Sequence, residues 1–137
     1  MSHGRTRIAA VCIVTALAGA AGAWTLIAQQ PLPYKRTILL KQEMTIPGRE
    51  AVMALVEIPA GVAEGRHTHP AEVFAFVQEG AATLEVEGKP TVTLKPGEIF
   101  YLAPGQVHQV VNNGSSPVKL SAVFVAEKGK PLTTPAP

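Results

Sequence analysis

The stretch Gly61-Val-Ala-Glu-Gly-Arg-His67-Thr-His69-Pro70-Ala-Glu72-Val-Phe-Ala-Phe-Val-Gln-Glu-Gly80 places a pair of histidines just before an apolar run, with a glycine at each end. On a strand, residues i and i+2 share a face, about 6.5–7 Å apart along the chain, so His67 and His69 would present two imidazoles to one side. Two imidazoles on one face can converge on a metal; an isolated pair of this kind also occurs as a surface feature of a loop. The run Val73–Val77 is apolar on both faces, as is Ala51–Val56, and such strands need cover on both sides. The only other histidine in the domain, His108, follows the turn residues Pro104-Gly105 and opens the strand-like run Val107–Val111.

Outward from this stretch the chain is punctuated by turn residues: Pro47-Gly48, Pro59-Ala60-Gly61, Glu79-Gly80, Gly88, Pro96-Gly97, Pro104-Gly105, Asn113-Gly114 and Pro117. Most of the gaps are about 6–10 residues, too short for ordinary helices, and this spacing reads as an all-β sandwich or barrel. Ala82, Leu84 and Val86 alternate with Thr83, Glu85 and Glu87, the pattern of a half-buried strand, and Val92 and Leu94 alternate with Thr91, Thr93 and Lys95 in the same way. Val118–Ala126 is apolar on one face and mixed on the other. Where two-sided apolar strands occur in so short a chain, the second cover is either a thick sandwich or another subunit; a homodimer is the expectation.

The 137 residues suffice for one domain. The net charge of +2 comes from Arg5 and Arg7; the ten other basic residues balance ten acids, every one of them Glu. The pI of 8.9 is thus a property of the N-terminus and gives no ground for nucleic-acid binding. Ile8 to Ala28 is a run of 21 uncharged residues behind Arg5 and Arg7, which reads either as a cleaved signal peptide, with small-residue sites ending at Ala20 or Ala23, or as an uncleaved anchor. A helix of that length reaches about 31 Å, enough to span a bilayer core, and Trp24 would suit its interfacial end. Either way residues from about 30 onward are exported. The expected location is periplasmic or secreted, or anchored at the inner membrane with the domain facing the periplasm. The membrane is touched only through residues 8–28, and only if they are uncleaved. The single Cys12 lies in this run, which rules out a disulfide framework, a cysteine zinc site and a cysteine nucleophile. The expected organisation is a leader over 1–28 (a hydrophobic helix), a linker over 29–34, the β domain over 35–128 and a proline-containing disordered tail over 129–137.

Residues 97–112, Gly97-Glu-Ile-Phe-Tyr-Leu-Ala-Pro104-Gly105-Gln-Val-His108-Gln-Val-Val-Asn112, are separated from Gly80 by sixteen residues. Together with residues 61–80 they strongly resemble the two motifs of the cupin family, G-x5-H-x-H-x3/4-E-x6-G and G-x5-P-x-G-x2-H-x3-N. Gly61, His67, His69 and Gly80 match the first; Gly97, Gly105, His108 and Asn112 match the second. The resemblance covers nearly all of residues 35–127. It implies a double-stranded β-helix, or jelly-roll barrel, in which His67, His69 and His108 bind one divalent transition metal. Two departures stand out. Ala103-Pro104 replaces a motif in which Pro comes first, a turn variant. The family's ligand glutamate aligns with Val73, while Glu72 lies one place earlier. Strand alternation points Glu72 away from the histidines, so it remains a fourth candidate ligand only if a bulge turns it inward.

Three neutral imidazoles suit Fe, Mn, Ni, Cu or Zn. The resemblance implies an exported metal-binding cupin. One reading is a dioxygenase-like oxygenase, a lyase or an isomerase acting on a small organic molecule; another is a small-molecule binding or sensing cupin without turnover; a third is a metal-free structural barrel. Val73, Ala75, Val77, Val110 and Phe100 are expected along the lining, with Gln106 and Gln109 either at its mouth or in a solvated loop. The absence of Asp excludes a Ser-His-Asp triad, and no phosphate-binding loop is present.

Overall fold

The computed structural model describes residues 33–137, in ten strands. The leader, its export or anchoring, and Cys12 lie outside the described residues. Among the described residues no helix is long and apolar enough to cross a membrane. The strands are β1 (Lys35–Glu43), β2 (Arg49–Ile58), β3 (His67–Thr68), β4 (Ala71–Glu79), β5 (Ala82–Val86), β6 (Val92–Leu94), β7 (Ile99–Leu102), β8 (His108–Val111), β9 (Val118–Glu127) and β10 (Thr134–Pro135). They form two antiparallel five-stranded sheets, ordered β1-β2-β9-β4-β7 and β10-β3-β8-β5-β6. This is the all-β architecture that the turn spacing predicts, and the jelly roll that the cupin resemblance implies.

The core follows from strand alternation. Along β4 burial switches residue by residue, with Ala71, Val73, Ala75 and Val77 inside and Glu72, Phe74, Phe76 and Gln78 outside. β2 contributes Val52, Ala54, Val56 and Ile58 to the same interior, and β9 contributes Leu120, Ala122 and Phe124. Burying each of the larger of these side chains stabilises the fold by about 1.5–3 kcal/mol.

Two motif residues close the barrel rather than line the site. Gly80 has φ +74, and a Cβ there would stand 2.6 Å from the Pro117 carbonyl oxygen, so the turn from β4 to β5 can pass the start of β9 only as glycine. Asn112 is fully buried. Its side-chain amide donates to the carbonyls of Ile58 (2.9 Å) and Ser116 (2.8 Å), while its Oδ1 accepts from Gly114 N (3.0 Å).

Four local expectations are corrected. Thr83 is buried rather than outward: its hydroxyl bonds Thr93 Oγ1 and accepts from Asn113 Nδ2, each at 3.3 Å, which allows a polar side chain inside. Val92 is 46% exposed because β6 is an edge strand with no second neighbour over it. Tyr34, assigned to the linker, packs in the core at 7% exposure. The tail over 129–137 is ordered: Thr134 and Pro135 pair with Thr68 and His67, and Ala136 N donates to Arg66 O. Pro135 is tolerated because β10 is the outermost strand of its sheet, where a missing N–H costs no interior bond.

Candidate metal centre

His67 and His108 are direct cross-strand partners between β3 and β8, and His69 follows β3 on the face of His67. All three are buried, with ring centroids 4.4–4.9 Å apart, and each offers a nitrogen within 4.8 Å of the others. The backbone sets which nitrogen is free. Each Nδ1 faces a main-chain carbonyl: His67 that of Gly65 at 2.7 Å, His69 that of Leu132 at 2.7 Å, and His108 that of Gln106 at 2.9 Å. A carbonyl can only accept, so Nδ1 carries the proton and donates it, and Nε2 keeps its lone pair. Carbonyl partners of this kind hold the rings of metal-ligating histidines in orientation. Thr133 Oγ1 adds a weaker contact to His69 Nδ1 at 3.3 Å, and Phe124 packs edge-on against the same ring.

Burial is the main force that pushes proton affinity down in the cluster: His69 falls to about 3, His108 to about 4, and His67 also drops below its ordinary value. The bonds to backbone carbonyls oppose this shift without cancelling it. The cluster is therefore uncharged at neutral pH. Three uncharged nitrogen donors, aimed inward from an apolar wall, fit a divalent transition metal bound at about 2.1 Å.

A stability profile follows. The unfolded chain protonates its histidines near 6.5, whereas the folded chain resists down to about 4 at His108 and about 3 at His69. Over that window the unfolded state binds more protons, so the histidines' contribution is complete above about 6.5 and is lost as the pH falls. Glu64 acts with the opposite sign, since its carboxyl is raised to about 7, but it is one group against three. Denaturant midpoints of metal-free protein should fall between about pH 7 and about pH 4.5, and less steeply for His108→Gln. Equal slopes for the variant and the wild type would contradict this account.

Glu72 is not part of the cluster. It is exposed, pairs with Val125 of β9, and no register shift interrupts β4 between Ala71 and Val77. The bulge needed to turn it inward is absent, and its expected place among the ligands is corrected. Val73, at the position aligned with the family's ligand glutamate, lines the cavity instead. Val110, Ala75 and Phe100 also line it; Val77 is buried deeper in the core. Neither glutamine lines the cavity: Gln106 Oε1 accepts from Ala103 N at 2.9 Å within the turn, and Gln109 Nε2 donates to Glu85 at 2.7 Å.

The cavity also holds three polar residues that sequence reasoning missed: Tyr34, Arg36 and Glu64. Arg36 pairs with Val56 across β1 and β2 and so shares the inward face of that core valine. Glu64 sits beside the isolated bridge between Ala63 and Val111, where its Oε2 accepts from Val110 N at 3.0 Å. Desolvation raises its carboxyl to about 7, against the lowering effects of the Val110 N–H and the Arg36 charge. The cavity has a volume of about 30 Å³.

A jelly roll with a buried three-histidine cluster at the junction of β3 and β8 defines a class of metal-site β barrel. The cupin domain model matches residues 54–125, more than half of the chain, and this chain belongs to the cupin family. Among solved structures, it is similar to an uncharacterised conserved protein with a double-stranded β-helix domain from Klebsiella pneumoniae, at TM-score 0.65 and 22% identity over 80% of this chain and 90% of that one. A DMSP lyase from Ruegeria pomeroyi aligns at TM-score 0.64 and 21% identity, over 76% of this chain and 52% of that one. A predicted oxalate decarboxylase from Thermotoga maritima aligns at TM-score 0.59 and 22% identity, over 68% and 80%. At these identities the likeness is one of fold. No curated protein matches the sequence.

Proposed function

We propose that this chain is an exported metal-binding cupin in which His67, His69 and His108 hold one divalent transition metal, Fe, Mn, Ni, Cu or Zn, and present it to a small organic molecule. The observation that carries the reading is the set of three buried imidazoles whose Nδ1 atoms are all engaged by backbone carbonyls, leaving three Nε2 lone pairs directed inward. With no carboxylate in the set, the bound ion keeps more of its charge and more open positions. Such an ion supplies Lewis-acid polarisation of a bound oxygen. The chain itself supplies the apolar wall of Val73, Ala75 and Phe124, which excludes water, and a carboxyl at Glu64 that holds a proton near neutral pH.

The lyase and predicted decarboxylase among the structural neighbours support an enzyme, an oxygenase, lyase or isomerase. The small volume of the cavity is what favours the second reading, a binding or sensing cupin without turnover. Export is supported by Arg5 and Arg7 ahead of 21 uncharged residues. The test is metal analysis of full-length protein recovered from the periplasm or its membrane: one equivalent of transition metal supports the proposal, and none overturns it. Turnover of candidate small acids by the loaded protein separates the two readings.

The outer face of the larger sheet supports a homodimer. Leu40, Met53, Val123, Phe74 and Tyr101 are exposed and stand in register across β1, β2, β9, β4 and β7, so one apolar row crosses the whole sheet. A contiguous apolar face of this kind marks a protein contact. Light scattering should give twice the chain mass for the wild type and the chain mass for Phe74→Glu. A wild type that stays monomeric at high micromolar concentration would defeat the dimer.

A further inference from the structure

We propose that Arg36 and Glu64 form an anion-binding subsite beside the histidine cluster that receives the carboxylate of a small organic acid. This rests on the reading of the cluster as a metal centre and names the class of molecule brought to it. Two opposite charges line the same cavity as the three histidines, yet no ion pair joins them among the described residues. Arg36 spends one donor on the Thr133 hydroxyl, at 2.6 Å, out of the five that a guanidinium carries. Glu64 lines the same cavity, and the hydrogen bond that it accepts from Val110 N engages Oε2. A half-buried cation and a half-buried carboxyl that line one cavity without pairing with each other are both left to meet a third group.

Carboxylate is the group that fits. The guanidinium fork matches two carboxylate oxygens and binds them more strongly than it binds neutral acceptors. A second anion beside Glu64 favours its protonated form, and a protonated Glu64 can donate a hydrogen bond to the incoming oxygen. The charged or titratable groups lining the cavity with Glu64 are Tyr34 and Arg36 on the β1 side, His67 and His69 at β3, and His108 on β8. Arg36, whose guanidinium is always charged, is the permanent positive charge among these side chains. The rest of the wall is apolar and close, which suits a short acyl chain.

The test uses full-length protein loaded with Zn, which is diamagnetic, and follows acetate and its uncharged isostere acetamide by NMR. Acetate should bind at least about tenfold more tightly than acetamide, and Arg36→Gln should weaken acetate by a similar factor. The ¹³C titration midpoint of the Glu64 carboxyl should rise when acetate saturates the site, a response that a merely structural Glu64 would not give. Arg36→Lys keeps the charge and loses the fork; an intermediate loss supports the proposal and serves if the Gln variant does not fold. Equal affinity for acetate and acetamide, acetate binding unchanged in both Arg36 variants (a ligand held by Zn alone), or an unmoved Glu64 midpoint each overturns it. Metal content is measured on the same samples. If Zn does not bind, the metal reading has failed, and the same titrations on metal-free protein still decide the subsite.

Discussion

His69→Ala, His67→Ala and His108→Ala should each abolish tight metal binding, while Glu72→Ala should leave stoichiometry and affinity unchanged. Each histidine offers one of three inward-facing donors, and no other His, Cys or Glu among the described residues joins the set. Removing one leaves two ligands and an open cavity wall, so the loss should exceed the roughly 10–100-fold that follows from removing an outer-shell partner. Glu72 stands on the opposite face of β4, exposed, and can neither ligate nor orient a ligand. The carbonyl behind His69 belongs to Leu132, so truncation after Lys130 removes that partner, the Thr133 contact and the β10 pairing beside His67, while leaving all three histidines in the chain. That variant should fall in the roughly 10–100-fold range. Competition titrations with a chromophoric chelator at neutral pH would rank all five proteins. A Glu72→Ala loss equal to that of His69→Ala would show that β4 carries a bulge in solution. Indifference to every histidine change would leave a metal-free barrel.

The histidines were legible in the sequence because two independent regularities place them. Period-two alternation puts His67 and His69 on one face, and the motif spacing brings His108 beside them; the observed pairing of His67 with His108 joins the two. The parity of Glu72 was legible for the same reason. Tyr34, Arg36 and Glu64 were not. Their place in the cavity depends on the register of β1 against β2 and on how residues 61–66 cross to β8, both long-range facts. A faint signal existed: Tyr34 and Arg36 alternate with Lys35, which would set one face of a strand. The tail was misread because three prolines in nine residues resemble disorder by composition, whereas its order comes from partners far away in sequence, Arg66 and His69. Composition reports what a segment lacks locally and is blind to bonds it accepts from elsewhere. Asn112 shows the reverse: the motif picks it out beside the histidines, and the structure gives it a different task, holding the turn between β8 and β9.

Asn112→Asp should destabilise the domain more than Asn112→Ala, even though Asp keeps the shape. The Asn112 amide nitrogen donates to two carbonyl oxygens, those of Ile58 and Ser116, and its oxygen accepts from Gly114 N. In Asn112→Ala these groups lose their partner, at a cost of about 2–4 kcal/mol for a fully buried site. In Asn112→Asp the two carbonyls instead face an ionised oxygen in a place without solvent, which adds repulsion and desolvation to the lost donors. Burial and the facing carbonyls raise the folded affinity of that carboxyl for a proton above its unfolded value of about 3.9. The protonated acid can still donate one bond, so the variant is least impaired below that value and loses stability as the pH rises through its folded midpoint. The wild type runs the other way over the acid range, because its buried histidines resist protonation. Denaturant midpoints of wild type, Asn112→Ala and Asn112→Asp between about pH 4 and about pH 7.5 should therefore show the gap between Asp and wild type widening upward, with Ala following the wild type at a constant offset. A gap between Asp and wild type that is constant with pH would mean that water reaches residue 112, and that the loop from Asn112 to Val118 is held by something other than this side chain.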